Sequence, residues 1–410
     1  MSSTTTRLLI TLLTLSVLGV ASLFVTGCSS DTVKIGVVVP ETGPLAIYGK
    51  PVRQGIEIAY QQILADKTFA IDVELEFRDS ESDPEKAAQI LQELYRSGAM
   101  AAIGGVTSGE ALAMVDIADG NDRVLISPTA SAPELTGASS NFFRVFPSDL
   151  VEANKMAAFA AESLSLGQMV VVAEQQTWGR GIQEVFAKEF ERYGGEIVEV
   201  IEYPPNTSEF TGFIDRILTL APDAVYLAGY EPGVVSLIRK LHNAQYAGKV
   251  LTTHAFSTSG AIAEAGEAAS GVVFTQSVFE VESDYAHIRT FVDAYQQAYG
   301  EQPDIFAAHG YDAANVLFGA FREVPPQLPS DTRDGLRAIK EFPGVTGSLQ
   351  FDERGDVTKF PRVYTIDSDL SVFGYDDLME QKRREIMRKK QELLDRMKQI
   401  DAKAEQMGDS

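Results

Sequence analysis

The chain has 410 residues, of which 45% are hydrophobic and 23% charged, a composition typical of globular proteins that excludes disorder as the main state. Its formal net charge of −23 repels phosphate groups and argues against nucleic acid as a partner. The single cysteine, Cys28, excludes an intrachain disulfide, and the scattered positions of the four histidines argue against a metal site.

Residues 1–27 are predicted to be a signal peptide. Arg7 precedes an uncharged apolar run over residues 8–25, which is the pattern of a secretory signal. The run ends in Val-Thr-Gly-Cys, which resembles a bacterial lipobox, so we predict that Cys28 is lipidated and anchors an extracytoplasmic body. The alternative is an uncleaved transmembrane anchor, because the run is just long enough to span a bilayer. The choice between inner and outer membrane stays open.

From residue 33 the chain alternates predicted strands and helices. A first series has strands at 33–39, 73–77, 100–103 and 124–127, and helices at 51–64, 84–95 and 109–118. Residues 33–39 form a nearly continuous apolar run, typical of a strand buried on both faces of a parallel sheet. Asp83 before Pro84 is typical of a helix start, with the aspartate as N-cap.

A second series has helices at 152–164, 179–193, 210–220 and 233–244, and strands at 168–173, 196–203, 224–227, 250–253 and 271–274. Two such series predict two doubly wound α/β lobes. Helices follow at 291–299 and 311–321. Strands at 348–351 and 362–366 are predicted to pair as a hairpin, because the polar, glycine-containing segment 352–356 separates them.

The segment 378–407 is predicted to be a highly charged helix, since it contains neither proline nor glycine. Apolar residues recur every seven positions from Met379 to Met407, but Arg383 and Lys390 occupy intermediate positions in the first half. The segment is therefore either a solvated helix lying on the body or a short coiled coil that forms a dimer.

The loops that follow the strands are the candidate ligand-binding segments, because doubly wound sheets bind ligands beyond the carboxyl ends of their strands. In the first lobe these loops are rich in glycine and hydroxyl groups. Ser108 lies there at a predicted helix start, whose free N–H groups suit a carboxylate. In the second lobe the loops carry the aromatic residues Trp178, Tyr230 and Phe256, which predict the far wall of a cleft.

These loops, in this order, resemble the leucine/isoleucine/valine-binding protein family of ABC importers, from about residue 33 to about residue 367. The stretches that carry the resemblance are IGVVVPETGPLAIYG, AAIGGVTSG, LISPTASAPELT, FFRVFPSD, TWGRG, YLAGYEPG, GEAASGVVF and FDERGDV. The resemblance implies the type I periplasmic binding protein fold, with two doubly wound α/β lobes joined by three crossovers. The N-terminal lobe would comprise 33–145 and 277–345, and the C-terminal lobe 146–276 and 346–375. The crossovers would lie near 144–147, 275–278 and 344–347, with the helix 378–407 outside the match.

The resemblance also implies a set of ligand-binding residues and no cofactor. Ser108 and the pair Ala130 and Ser131 match positions that hold the α-carboxylate of the ligand. Aromatic positions around the ligand are matched by Tyr48, Phe306, Trp178 and Tyr230.

His254 departs from the family pattern. It falls where an amino-acid receptor has the glutamate that pairs with the α-ammonium, and an imidazole cannot replace that anion. Glu231 or Asp312 could supply the carboxylate instead, although Glu231 could equally be a solvated loop acid. Otherwise the ligand lacks an amine and is a simple carboxylate or an amide.

The function predicted from these observations is that of a lipid-anchored substrate-binding protein that delivers an amino acid or a related small carboxylate to ABC permease subunits. A ligand-sensing receptor that signals to a partner is the alternative, with the charged C-terminal helix as the contact. An enzyme is not expected, because the sequence has no GxSxG elbow, no P-loop and no GxGxxG motif.

Overall fold

The computed structural model describes residues 32–379, 384 and 387–390. The predicted signal peptide, Cys28 and most of the predicted helix 378–407 lie outside the described residues. Residues 375–379, 384 and 387–390 are helical. Within these ranges, none of the helices has the length and hydrophobicity required to cross a bilayer.

The first lobe is built on a five-stranded parallel sheet. Its strands are β1 (Val33–Val39), β2 (Val73–Asp79), β3 (Ala101–Gly104), β4 (Val124–Ser127) and β5 (Phe142–Arg144), in the order β2-β1-β3-β4-β5. The helices between them are α1 (Ala46–Ala65), α2 (Pro84–Arg96) and α3 (Ser108–Gly120). The central strands are buried at every residue except Lys34, which explains their nearly continuous apolar sequences. As predicted, the Asp83 side chain caps α2, accepting hydrogen bonds from the N–H groups of Glu85 and Lys86.

The second lobe is built on a seven-stranded sheet in the order β14-β13-β10-β9-β8-β6-β7. Its strands are β6 (Gln168–Glu174), β7 (Glu196–Tyr203), β8 (Ala224–Ala228), β9 (Lys249–Thr252), β10 (Val273–Gln276), β13 (Arg362–Ile366) and β14 (Val372–Gly374). The helices are α4 (Asp149–Ala158), α5 (Thr177–Arg192), α6 (Thr211–Leu220), α7 (Glu231–Asn243) and α8 (Ser259–Ala265). A π-helical turn, Phe159–Ser163, extends α4, and β13 and β14 are the antiparallel members of the sheet.

The chain returns to the first lobe after β10. Helices α9 (Ala286–Tyr299), α10 (Ile305–Glu323) and α11 (Pro329–Ala338) precede a short antiparallel pair, β11 (Phe342–Gly344) and β12 (Gly347–Leu349). Helix α10 packs directly on α1 at two glycines. A Cβ atom on Gly55 would lie 1.9 Å from the carbonyl oxygen of Ala307, and one on Gly310 would lie 2.2 Å from that of Val52. Only glycine permits this approach, so the close helix pair fixes the returning segment to the first lobe.

The predicted hairpin between 348–351 and 362–366 is wrong. Strand β12 pairs with β11, and β13 pairs with β10 and β14. The polar turn does reverse the chain, but it brings Phe351 opposite Val357 in an isolated bridge. The sequence pattern identified a turn and two strands correctly, but strand pairing is decided by contacts that a local pattern does not contain.

The third crossover also lies later than predicted. Gly355 and Asp356 lie beside Arg144 at the edge of the first sheet, where the Arg144 N–H donates to the Gly355 oxygen at 3.0 Å. The segment up to Val357 therefore belongs with the first lobe. The chain reaches the second sheet only at β13, so the crossover predicted near 344–347 lies between 357 and 362.

Candidate ligand-binding site

A cavity lies between the two lobes, where the loops at the carboxyl ends of both sheets face each other. Its lining consists of Tyr48, Val106, Thr107, Ser108, Thr129, Ser131, Trp178, Tyr230, His254, Ala255 and Phe306. These include every predicted site residue except Ala130 and Glu231. The space among these residues, including its opening to solvent, is about 300 Å³, which is at the lower end of the range for small-molecule sites.

The first-lobe wall is the N-terminus of α3. Thr107 caps this helix by a reciprocal pair of hydrogen bonds with Glu110, and the first N–H groups of the helix have no intrahelical partner. The Ser108 Oγ accepts hydrogen bonds from the N–H groups of Ser131 at 3.3 Å and Ala132 at 3.1 Å. With its acceptor capacity used, the Ser108 hydroxyl is left as a donor. Hydroxyl and helix N–H donors together suit a carboxylate.

The two predicted site residues that do not line the cavity lie behind its wall. The Ala130 N–H donates to the Ser127 Oγ at 3.0 Å, which turns this amide away from the cavity. The Glu231 carboxylate accepts a hydrogen bond from the Thr258 hydroxyl at 2.6 Å and so lies on the α8 side of its loop. Glu231 contributes to the site through its backbone, because its N–H donates to the Tyr48 hydroxyl at 2.8 Å.

Asp312, the other acid considered as an amine partner, lies at the junction of α10 and β11. Its carboxylate accepts hydrogen bonds from the N–H groups of Val345 at 2.8 Å and Thr346 at 3.0 Å, and Lys359 lies close by. It is therefore a structural acid that joins the returning segment to α10, and it is absent from the cavity lining.

Four aromatic rings enclose the remainder of the cavity. The Tyr48 ring lies 4.8 Å from that of Phe306 and 5.7 Å from that of Tyr230, measured between centroids. Trp178 stacks on Tyr230 at 4.7 Å with an interplanar angle of 24°. Such offset stacks hold rings in fixed positions, so the cavity presents flat apolar surfaces to a ligand.

Two side chains bridge the lobes across the cavity. The Trp178 Nε1–H of the second lobe donates to the Ser131 Oγ of the first lobe at 3.0 Å. The Tyr48 hydroxyl of the first lobe donates to the Ala255 oxygen of the second lobe at 3.1 Å. The closed arrangement is therefore held by hydrogen bonds between residues that also contact the cavity.

His254 is held by a buried carboxylate that sequence reasoning missed. The Glu152 Oε2 lies 2.7 Å from the His254 Nδ1, and the Glu152 Oε1 accepts from the His254 N–H at 3.1 Å. The Thr275 hydroxyl donates to the same Oε1 atom at 2.6 Å. Burial lowers the pKa of His254, but Glu152 and Asp149 outweigh it and hold that pKa above its usual value.

Asp149 is the second acid that sequence reasoning missed. It is fully buried at the start of α4, and neither of its carboxylate oxygens has a hydrogen-bond partner among the described residues. Burial, together with the nearby Glu152, raises the pKa of Asp149 to about 7. The available sequence signal was a pair of acids three positions apart after Ser148, at the first crossover. A pair of acids in the first turn is also typical of an exposed helix start, so only the fold reveals their burial.

The three side chains Asp149, Glu152 and His254 are the one cluster in the described part of the chain with donor atoms close enough to hold a metal ion, all within 4.8 Å. The 2.7 Å separation of Nδ1 and Oε2 is a hydrogen-bond distance. Two ligands of a tetrahedral zinc ion lie roughly 3.3 Å apart, given metal–ligand distances of about 2.0 Å. We therefore interpret the cluster as a buried ion pair beside a protonated acid.

The buried acid predicts a dependence of stability on pH. Asp149 has a pKa of about 7 when folded and about 4 when unfolded, so the folded chain binds the extra proton between these values. Stability should fall as pH rises through this window, and Asp149→Asn should flatten the decline. Chemical denaturation at pH 5 and pH 7.5 measures it, with Asp116→Asn on the exposed face of α3 as control. An unchanged slope in the Asp149 variant would contradict the assignment.

Comparisons with known proteins identify the family. The sequence profile of the periplasmic binding protein family matches residues 32–369. A leucine-, isoleucine-, valine-, threonine- and alanine-binding protein of Pseudomonas aeruginosa is 27% identical over 335 residues, which cover 81% of this chain and 89% of that protein.

Two solved structures share the fold. A leucine-binding protein of Thermotoga maritima has a TM-score of 0.78 at 27% identity and covers 84% of this chain and 100% of its own. The second is a branched-chain amino acid transporter substrate-binding protein of Streptococcus pneumoniae, solved with isoleucine. It has a TM-score of 0.77 at 25% identity, and the match covers 83% of this chain and 98% of that chain. These matches confirm the type I bilobed fold and the resemblance drawn from the loop motifs. The chain belongs to the periplasmic binding protein family, the family of the leucine/isoleucine/valine-binding proteins.

Proposed function

We propose that this chain is the lipid-anchored, extracytoplasmic binding component of an ABC importer. It binds an amino acid or a related small carboxylate in the cavity between the lobes. The observation that supports this most directly is that the two lobes bring different kinds of group to the cavity. The first lobe offers the Ser108 hydroxyl and the N-terminus of α3 to a carboxylate, and the second lobe covers the ligand with Trp178 and Tyr230.

Binding and closure are coupled in this arrangement. A ligand that touches both walls gains contacts only when the lobes are together, so it stabilises the closed form. The hydrogen bond from Trp178 to Ser131 forms in that same closed form. A permease that contacts both lobes can thereby distinguish the loaded receptor from the empty one. The function of the chain is then to bind and deliver a ligand rather than to catalyse a reaction.

The relatives support the same class of ligand. The Pseudomonas aeruginosa protein is named for leucine, isoleucine, valine, threonine and alanine, and the Streptococcus pneumoniae structure holds isoleucine. Each of these ligands carries a carboxylate, and all but threonine have an apolar side chain, which suits the donors and aromatic surfaces of this cavity.

The test of the proposed function is ligand binding by the purified chain, followed by Ser108→Ala. A thermal-shift screen of the twenty amino acids, their 2-oxo acids and aromatic carboxylates identifies the ligand, and calorimetry gives its affinity. Ser108→Ala should weaken binding by about 10- to 100-fold, since it removes a hydrogen bond to a charged group. Ser97→Ala, whose hydroxyl donates to the Leu94 oxygen on α2, is the matched control. Full affinity in the Ser108 variant would contradict the site, and the absence of any ligand would contradict the function.

The proposed anchor has its own test. Cys28→Ala should remove the acyl chains and shift the protein from the membrane fraction to the soluble extracytoplasmic fraction, because the lipid is the proposed attachment. Metabolic labelling with a fatty acid and fractionation measure this, with Ser29→Ala as control. Unchanged membrane association of the unlabelled variant would favour an uncleaved transmembrane anchor.

A further inference from the structure

We propose that the cavity selects carboxylates that lack a free amine, and that an acceptor oxygen on such a ligand receives a hydrogen bond from the His254 Nε2–H. The inference rests on the proposed function and specifies the ligand class of the same site. The ligand is then a small 2-oxo acid, 2-hydroxy acid or similar oxygen-bearing carboxylate, and the matching α-amino acid is rejected.

The lining of the cavity contains no group that can neutralise an ammonium ion. All eleven of its residues are described, and none is Asp or Glu. The Glu231 carboxylate faces Thr258, and Asp312 lies between α10 and β11. An α-ammonium buried here would lose its hydration without gaining an anionic partner, which is costly.

Several acceptor atoms along the wall already hold hydrogen bonds. The Ser108 Oγ accepts two N–H groups, and the Ser131 Oγ accepts the Trp178 Nε1–H. The Thr129 hydroxyl donates to the Val106 oxygen at 2.6 Å, which takes one of the two lone pairs of that carbonyl. The hydrogen-bonding groups on the wall that remain free are mainly donors. An ammonium ion needs acceptors, whereas a carboxylate or carbonyl oxygen needs donors.

The surroundings of His254 set which ring atom meets the ligand. Glu152 contacts Nδ1 and also accepts the His254 N–H, so this edge of the ring faces away from the cavity. The opposite atom, Nε2, has no hydrogen-bond partner in the described part of the chain, yet it is not fully buried, unlike the Nε2 of His309. Nε2 is therefore the edge of His254 available to a ligand.

Glu152 also determines the charge of the His254 ring, and so whether Nε2 carries a proton. Three groups contact its carboxylate, namely the His254 ring, the His254 N–H and the Thr275 hydroxyl. A nearby positive charge stabilises a buried carboxylate. Arg144 is engaged with Asp356, which leaves the His254 imidazolium as the counter-charge and places a proton on Nε2.

The other titratable groups around His254 do not change this assignment. Asp149, from α4, raises the pKa of His254 further. Tyr226, on β8, has a pKa well above its usual value because of burial, so it stays neutral. Burial and the nearby Lys359 hold the pKa of His309 on α10 well below its usual value, which keeps that ring neutral. His254 is then the only group on the cavity wall that carries a positive charge.

Matched ligand pairs test the proposal on the unmodified protein. Calorimetry of the purified full chain in detergent compares L-leucine with 4-methyl-2-oxopentanoate and 2-hydroxy-4-methylpentanoate, and L-phenylalanine with phenylpyruvate. The amine-free member of a pair should bind at least about 100-fold more tightly, since the site leaves an ammonium unpaired. Tighter binding of the amino acids would overturn the inference and leave the proposed function standing. Binding of neither class would overturn both.

Two variants and the pH dependence give a second readout. Affinity for the preferred acid should be constant at low pH and fall as pH rises through the pKa of His254, because the imidazolium loses its Nε2–H. With Asp149→Asn in both proteins, which removes the neighbouring group that also titrates near pH 7, His254→Gln should weaken binding and abolish this pH dependence. The double variant Glu152→Gln with His254→Glu places a carboxylate at the cavity and should shift preference toward the amino acids. A pH dependence that persists in His254→Gln when Asp149 is also replaced by Asn would overturn the role of His254.

Discussion

Arg144→Met is expected to destabilise the protein by about 3–5 kcal/mol, because it leaves a buried carboxylate without its partner. Arg144 is 0% exposed, and its guanidinium donates to both carboxylate oxygens of Asp356, at 2.7 and 3.0 Å. The same guanidinium donates to the Ala132 oxygen at 2.9 Å and to the Thr136 hydroxyl at 2.6 Å. One side chain thus joins β5, the loop after β4 and the turn 352–356.

Urea denaturation measures this effect, and the chain offers a control in the same turn. Arg354 pairs with Asp352 at 3.1 Å, but its side chain is 61% exposed. Arg354→Met should therefore cost less than about 1 kcal/mol. The Arg144 variant should also lose some ligand affinity, because Arg144 fixes the Ala132 carbonyl and Ala132 is next to Ser131 in the cavity wall. Equal stability of the two variants would refute a structural role for the buried pair.

Trp178→Ala is expected to reduce ligand affinity by more than about 100-fold, which exceeds the effect expected at any other single lining residue. The side chain is buried, stacks on Tyr230 and donates to Ser131 across the cavity. Its removal deletes the second-lobe cover of the ligand and one of the hydrogen bonds that bridge the lobes. The Trp178 to Ser131 contact requires the lobes to be together, so its loss weakens the closed form and leaves the open form unchanged.

Trp178→Phe separates these two contributions. Phenylalanine retains an aromatic surface against Tyr230 but lacks the Nε1–H that reaches Ser131. We expect its affinity to lie between those of the wild type and Trp178→Ala, with the difference from the wild type reflecting the interlobe hydrogen bond. Calorimetry with the best ligand of the screen gives the affinities, and circular dichroism checks the fold. Wild-type affinity in Trp178→Ala would remove this residue from the site.

Much of the local structure follows from local chemistry. Strands β1, β4 and β7 begin and end at the predicted residues, because each is a β-prone run bounded by turn or cap residues. The capping aspartate before Pro84 likewise marked the start of α2. Strand β5 and helix α11 were missed, since three residues are too few to show a period and α11 is mostly polar.

For the candidate site too, local patterns indicated some residues and only the fold revealed the others. Loop motifs and the family resemblance identified the residues that the fold gathers around one cavity, including Tyr48 and Phe306, which are distant in sequence. The acids behind His254 were not identified, because nothing local distinguishes a buried acid in a first helical turn from an exposed one. The pairing of Arg144 with Asp356 spans 212 positions and has no local signature at all.

By itself the sequence determined the alternation of strands and helices, the two-lobed α/β class and the loops that meet at the cavity between the lobes. These depend on apolar periodicity, turn residues and helix caps, all of which act over a few neighbouring positions. Tertiary structure alone decided which strands pair, where the third crossover runs, and that Glu152 holds His254 toward the cavity. Those features depend on burial and on contacts between distant segments, because a charge changes its role only when the fold removes it from water.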